Sequence, residues 1–396
     1  MSTQSHMTIG LSVSALALLI TGGILYAGPI NPPEPFVGST AKTLSEIEPR
    51  TAINAANTPG DTDSLFVITQ PGSYYLTGNI TGVVGKHGIE LAASGVTLDL
   101  NGFEVVGVAG SLDGITSAGA ILLNISIKNG SVHDWSGIGI DLGFVSNFRV
   151  KDIRAGGNAG QGISGGHGGV ITNCIAYENE SHGIQTQRTT SIDNCSAFSN
   201  VLDGISAGID CTITHCVSSN NDENGILAGV GCAITSCSTY DNTNAGVVAY
   251  ECCVISNTSV SFSSYGILAY SGCTILNCTA QHNYVDGINC VDGCVIRGNY
   301  CYWNGYGGGS GAGIRVTGFD CRIESNKCFA GATGVEIENP GNILLKNTCS
   351  LNSPNWIISQ GNAFGPIVVT PYGVSASGNS APDSLGTSHP NANFTY

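Results

Sequence analysis

His182, Arg188 and Asp203 are the side chains of this 396-residue sequence best suited to chemistry. They set an imidazole, a guanidinium and a carboxylate in one short stretch of a chain that has only 13 Lys and Arg and 28 Asp and Glu. Glu178 and Glu180 precede the histidine, and Asp222 and Glu223 follow the aspartate. Gathered on one surface, these carboxylates would make an acidic ridge whose oxygens suit a hard cation. Asp203 with Glu180 would alternatively supply the acid and base of a glycoside hydrolase. Aromatic residues offer a different chemistry: Trp135, Tyr250, Tyr265, Tyr270, Tyr284, Tyr302, Trp303 and Tyr306 are candidates for a sugar-binding platform, with Tyr250 and Tyr270 in one phase, since rings supply large apolar area with a polar edge. The competing reading of the charged group is a solvated turn surface, where charged side chains ordinarily sit.

A repeat is what would bring such residues together. His182 and Asp203 stand one period of the chain apart: GIQTQRTTSIDNCSAFSNVLD from Gly183 is followed by GISAGIDCTITHCVSSNNDEN from Gly204 and GILAGVGCAITSCSTYDNTNA from Gly225. Gly-Ile or Gly-Val starts also occur at Gly88, Gly114, Gly137, Gly162, Gly246, Gly266, Gly287, Gly313 and Gly334, giving about twelve rungs. A period of about 21 residues signals a stacked array. Within a rung apolar residues alternate, as at Ile205 and Ala207 and at Cys211 and Ile213, the pattern of short strands with one buried face. One period apart, Ile171, Ile192, Ile213, Ile234, Ile255, Ile275 and Ile296 form a column. Stacking at about 4.8 Å sets each on the one below, and burying an Ile contributes roughly 1.5 to 3 kcal/mol. The residue before each rung's glycine makes a polar column of His87, Asp113, Ser136, Gln161, His182, Asp203, Asn224 and Asp286. His182 and Asp203 are therefore expected to touch.

Two further columns are predicted. Asn179, Asn200, Asn221, Asn242, Asn283 and Asn304 share a phase, with Ser263 substituting once; Asn tolerates left-handed turns, and its amides can pair along a parallel array. The sixteen cysteines also stack rather than converge: Cys211, Cys232, Cys253, Cys273 and Cys294 form one column, and Cys174, Cys195, Cys216, Cys237 and Cys278 another. Disulfides between stacked thiols would be strained, and tetrahedral zinc needs four ligands on one centre, so the expectation is buried thiols acting as small apolar side chains.

These rungs, together with PGSYYLTGNITG from Pro71 and GIELAASGVTLDLNGFEVVG from Gly88, resemble the secreted bacterial right-handed parallel β-helix proteins of the broad pectate-lyase-like superfamily, over roughly residues 60 to 350. The resemblance implies an all-β solenoid. In enzymes of that group carboxylates hold calcium against a uronate while an Arg or Lys takes the α-proton. Carried to this sequence, it implies Glu180, Asp203 and Glu223 as Ca2+ ligands and Arg188, near His182, as the base. The same group contains lyases, hydrolases, epimerases, tailspikes and non-catalytic surface proteins, so the fold does not choose the activity.

Composition agrees with the solenoid. Gly is 56 of 396 residues and charged residues are 10%, which favours short strands and turns over helices. A formal charge of -15 excludes a nucleic-acid partner, which would demand Lys and Arg clusters. Ile9 to Ala27 is apolar and runs into the Pro-rich GPINPPEP, the order of a secretory signal, or of an uncleaved anchor, in which case alone the chain would meet a membrane. The expected organisation is a signal or anchor at 1–27, a linker and N-terminal cap at 28–70, the β-helix at 71–355 and a C-terminal capping segment at 356–396. The expected role is an exported, secreted or cell-surface scaffold that binds polysaccharide or a cell-envelope component without catalysis; the alternative is a polysaccharide lyase or glycoside hydrolase.

Overall fold

In the computed structural model residues 48–117, 119–308, 311–369 and 387–396 are described, and the fold is that of Arg50–Tyr396. The expected signal or anchor at 1–27 lies outside the described residues. Every regular element among the described residues is a strand.

One turn of the coil contains three short strands, as in Ile184–Arg188, Ser191–Asp193 and Ser196–Phe198. The next turn repeats them as Ile205–Ile209, Thr212–Thr214 and Val217–Ser219. The turns pair in parallel and in register, Ile184 with Ile205, Ile192 with Ile213 and Ala197 with Ser218, which is a parallel β-helix. The Gly-led strands form a 15-stranded sheet; Leu122–Leu123 stands beside its path, so fourteen strands follow one another from Ser64–Ile68 to Trp356–Ile358. That exceeds the twelve rungs marked by glycine, because Leu65 and Asn355 occupy the glycine position in the first and last of them. Register also corrects one start: Ile140 pairs with Ile115, so Gly139 rather than Gly137 opens that rung and Ile138 rather than Ser136 stands in the polar column.

Strand pairing begins before residue 71 and continues beyond 355. Thr51 pairs with Tyr74, and Asn393–Thr395 adds to both Thr348–Ser350 and Ile367–Val369. The terminal segments thus contribute strands to the end turns.

The interior explains the repeat. The Ile column from Ile171 to Ile296 is fully buried and runs on to Ile323 and Leu344. Asn179 donates its amide to Asn200 at 2.9 Å, Asn200 to Asn221 at 2.9 Å and Asn221 to Asn242 at 2.9 Å, all buried. This ladder dictates the glycine that starts each rung: a Cβ on Gly183 would lie 2.6 Å from the Gly204 carbonyl oxygen and 2.7 Å from the Asn200 amide nitrogen. Towards the C-terminal end a second ladder, Asn299 to Asn326 to Asn347 to Asn393, takes over the position that cysteines hold earlier. Fifteen of the sixteen free thiols are buried, Cys252 being exposed. Cys321 extends the first column, and Cys301, Cys328 and Cys349 form a third column that the sequence reading missed.

Each turn has left-handed corners. Asn173, Asn194, His215, Ser236, Asn257 and Asn277 hold φ between 51° and 56° at the corner between the second and third strands. The corner after the third strand holds Glu178, Ser199, Asn220, Asp241, Phe262, His282 and Trp303 at φ between 52° and 58°.

Candidate functional site

The structure joins some of the predicted site residues and separates others. His182 and Asp203 meet as expected: Nδ1 of His182 lies 3.3 Å from the Asp203 amide nitrogen and 3.3 Å from its carboxylate. A neutral ring accepts the amide proton, and a protonated one donates to the carboxylate. Asp203 is 1% exposed, and its Oδ1 accepts the Asn224 side-chain amide at 2.7 Å and the Asn224 N–H at 3.2 Å. Arg188 sits exposed at the far end of the strand, in register with His167 and Ile209. Six extended residues separate it from His182 by roughly 20 Å, so the two do not share a site. Glu180 and Glu223 are exposed turn residues. Together with an Asp203 carboxylate already engaged by hydrogen bonds, they do not fit a calcium site.

Trp135 is not a sugar platform. It is 1% exposed, donates its indole N–H to the Val105 carbonyl at 3.0 Å and fills the wider N-terminal coils, where Gly82 and Gly88 leave room for its ring. Tyr250 and Tyr270 are exposed and stacked, with centroids 5.1 Å apart and planes 13° apart.

A larger aromatic array lies at the corner after the third strand. Tyr240 tilts against Phe262 at 5.3 Å, Phe262 stacks on His282 at 5.0 Å, and His282 stacks on Trp303 at 5.6 Å. Tyr302 continues to Phe329 at 5.6 Å, and Lys327 lies over the rings of Tyr300 and Phe329. Parallel rings at 5.0 to 5.6 Å are farther apart than flat faces in contact, so the rings are slipped like stair treads and leave part of each face uncovered. Trp303 is 49% exposed.

Beside this strip lies a cleft of about 320 Å³ whose lining includes Asp241, Thr243, Phe262, Ser264, Tyr284 and Tyr306. One wall comes from an insertion. The rung from Gly287 to the next start at Gly313 is longer than any rung between Gly114 and Gly287, and its extra Gly-rich stretch holds Tyr306 edge-on to Tyr284, with centroids 5.5 Å apart and planes 81° apart. Gly307 passes so close over the Tyr284 ring that a Cβ there would be 2.3 Å from it. Aromatic walls combined with a carboxylate and two hydroxyl-bearing residues suit a sugar, which presents C–H faces and hydroxyl edges.

Titratable groups gather elsewhere, on the outer face of the first Gly-led strands. His87 Nδ1 lies 3.0 Å from the Asp113 amide nitrogen and 3.2 Å from its carboxylate, and the hydrogen bond to Asp113 holds the ring above the usual histidine range against the opposing effect of burial. Burial pushes Asp141 up, opposed by the Gly143 N–H that it accepts at 3.0 Å. Asp61, Asp63 and Glu90 bring three carboxylate oxygens within 4.8 Å of one another; among the described residues no other three His, Cys, Asp or Glu side chains do so.

A family model described as a right handed beta helix region matches residues 66–210. No curated protein matches the sequence. Among solved structures, the A-module of the mannuronan C-5 epimerase AlgE6 from Azotobacter vinelandii is similar at 16% identity and TM-score 0.48, over 82% of this chain and 90% of that one. PfbA, a surface adhesin of Streptococcus pneumoniae, is similar at 12% identity and TM-score 0.38, over 72% and 82%. The Dettilon tailspike protein is similar at 15% identity and TM-score 0.36, over 76% and 59%. No residue role is carried from them to this chain. With the family model over the first coils, and the same three-strand register continuing to the C-terminal strand, the chain is a right-handed parallel β-helix repeat protein.

Proposed function

We infer that this protein binds polysaccharide along the corner from Tyr240 to Phe329, as an extracytoplasmic scaffold rather than an enzyme. One observation carries the reading. Phe262, His282 and Trp303 hold φ of 58°, 54° and 52° at a position filled two and one turns earlier by Asn220 and Asp241. Asn and Asp enter the left-handed region readily, whereas for a bulky side chain it costs roughly 1 to 2 kcal/mol. Backbone strain of this kind collects at ligand-binding positions. Three strained aromatics on consecutive turns, the first of them lining the cleft that Tyr306 walls, are what a binding face would retain and a mere spacer would not. Insertions in solenoids likewise map to the binding face.

The strip follows the coil axis, so its ligand is a chain lying along the corner, with one sugar seated in the cleft against the touching rings of Tyr284 and Tyr306. Affinity electrophoresis through gels containing neutral or acidic polysaccharides, run with an assay for new reducing ends and unsaturated products, tests both halves of the reading. Retardation without product supports it; product release would replace it with catalysis. The hydrolytic reading is favoured by one feature, the raised Asp141 near Asp113, and an Asp141→Asn variant that abolished product release would locate it there.

A further inference from the structure

Six cysteines stand on one another over six consecutive turns: Cys211, Cys232, Cys253, Cys273, Cys294 and Cys321, each at most 1% exposed. They lie at the corner between the first and second strands, one residue in from solvent: Gly293 precedes Cys294, Asp320 precedes Cys321, and both preceding residues are exposed. Their orientation is fixed. Cys294 donates its thiol to the Tyr270 carbonyl at 3.0 Å and Cys321 to the Val291 carbonyl at 3.0 Å. The Cys321 sulfur also accepts the backbone N–H of Cys294 at 3.3 Å. Cys290, the last residue of the strand Ile288–Cys290, is a further buried thiol four residues before Cys294.

We propose that Cys294 and Cys321 form a two-coordinate binding site for a soft monovalent cation, Cu(I) in chemical type. Softness follows from the donors, since thiolates select such ions. Two-coordination follows from the column. Neighbouring strands are about 4.7 to 4.9 Å apart, close to twice a metal–thiolate bond, which is about 2.3 Å for zinc, so an ion midway between two stacked sulfurs meets both from opposite sides. Zinc and iron–sulfur clusters require four convergent ligands, and no three thiol sulfurs among the described residues come within 4.8 Å of one another. Binding replaces two S–H bonds by two S–metal bonds, releases two protons to solvent and moves no electrons. The Cys294 N–H already directed at the Cys321 sulfur remains to stabilise the thiolate.

The column supplies its own folding-compatible control. The turn after Cys321 carries Asn342 at the same position, where its Oδ1 accepts the Cys321 N–H at 2.8 Å, and Asn362 follows in the same way at 2.8 Å. Cys321→Asn therefore keeps an acceptor for the Cys294 N–H and removes a metal ligand. The test is an anaerobic titration of the reduced full-length protein with acetonitrile-stabilised Cu(I) against a chromogenic Cu(I) chelator, with proton release followed in weak buffer and folding checked by circular dichroism. The expected result is that Cys321→Asn takes one equivalent fewer than the parent and releases two protons fewer, while Cys252→Ser, which removes the exposed thiol, still binds at the pair. Failure of the parent to withdraw Cu(I) from the chelator, or equal uptake by a folded Cys321→Asn, would overturn the proposal.

Discussion

Phe262 and His282 stack with centroids 5.0 Å apart and planes 5° apart, and both rings are carried by left-handed backbone. Stacking of this quality contributes about 0.5 to 1.5 kcal/mol, against roughly 1 to 2 kcal/mol for each left-handed bulky residue. The stack therefore does not repay the backbone it stands on.

Phe262→Asn is accordingly expected to leave the melting temperature unchanged or to raise it, the net effect lying within about 1 kcal/mol. Calorimetry checks this. A loss of several degrees would mean that the ring serves packing rather than binding.

Ile213→Asp should unfold the coil, because it sets an unpaired charge in a fully buried column where nothing offsets desolvation. Thr212→Asp, on the exposed side of the same strand, should be tolerated. Comparison of the two melts tests the inward register.

Asn221→Ala should cost several kcal/mol. The Asn221 Oδ1 accepts both the N–H and the side-chain amide of Asn200, at 3.0 and 2.9 Å, and each buried donor left without an acceptor costs about 1 to 3 kcal/mol. Asn220→Gly, at the left-handed corner beside it, should cost little. Urea unfolding of the pair would separate ladder from turn.

Asp141 gives a pH signature. Its pKa is raised, first by burial, so its contribution to stability is full below the unfolded carboxylate value of about 3.9 and is lost as pH rises through the folded value. Asp141→Asn, which keeps an oxygen for the Gly143 N–H, should therefore melt higher than the parent at about pH 7 and no higher at about pH 3. An equal difference at both pH values would contradict the assignment.

The parts of this molecule fixed by translation along the coil were legible in the sequence. Ile213 and Asn221 recur once per period, and stacking in register turns that period directly into contact. The same logic paired His182 with Asp203 and Tyr250 with Tyr270. It misjudged Arg188, which is close in sequence but carried away by extended backbone. Trp135 failed for another reason: its burial depends on the width of the N-terminal coils, which a repeat count does not report. Of the corner aromatics Tyr302 and Trp303 were legible as candidate sugar-binding rings, whereas Phe262 and His282 were missed because their meaning lies in a backbone φ that composition does not show. Tyr284 and Tyr306 were legible as candidate sugar-binding aromatics, but not as rings in edge-on contact at one cleft.

If the corner aromatics form a polysaccharide-binding face, Tyr306 contributes to affinity and Tyr270 does not. The most direct test is the dissociation constant, by calorimetry, for a polysaccharide that retards the parent, measured for Tyr306→Ala and Tyr270→Ala side by side. Tyr306→Ala should bind at least tenfold more weakly, a change of about 1.4 kcal/mol, and Tyr270→Ala should keep the parent affinity. Equal affinities in the two variants, or no polysaccharide that binds the parent, would contradict a binding face at this corner.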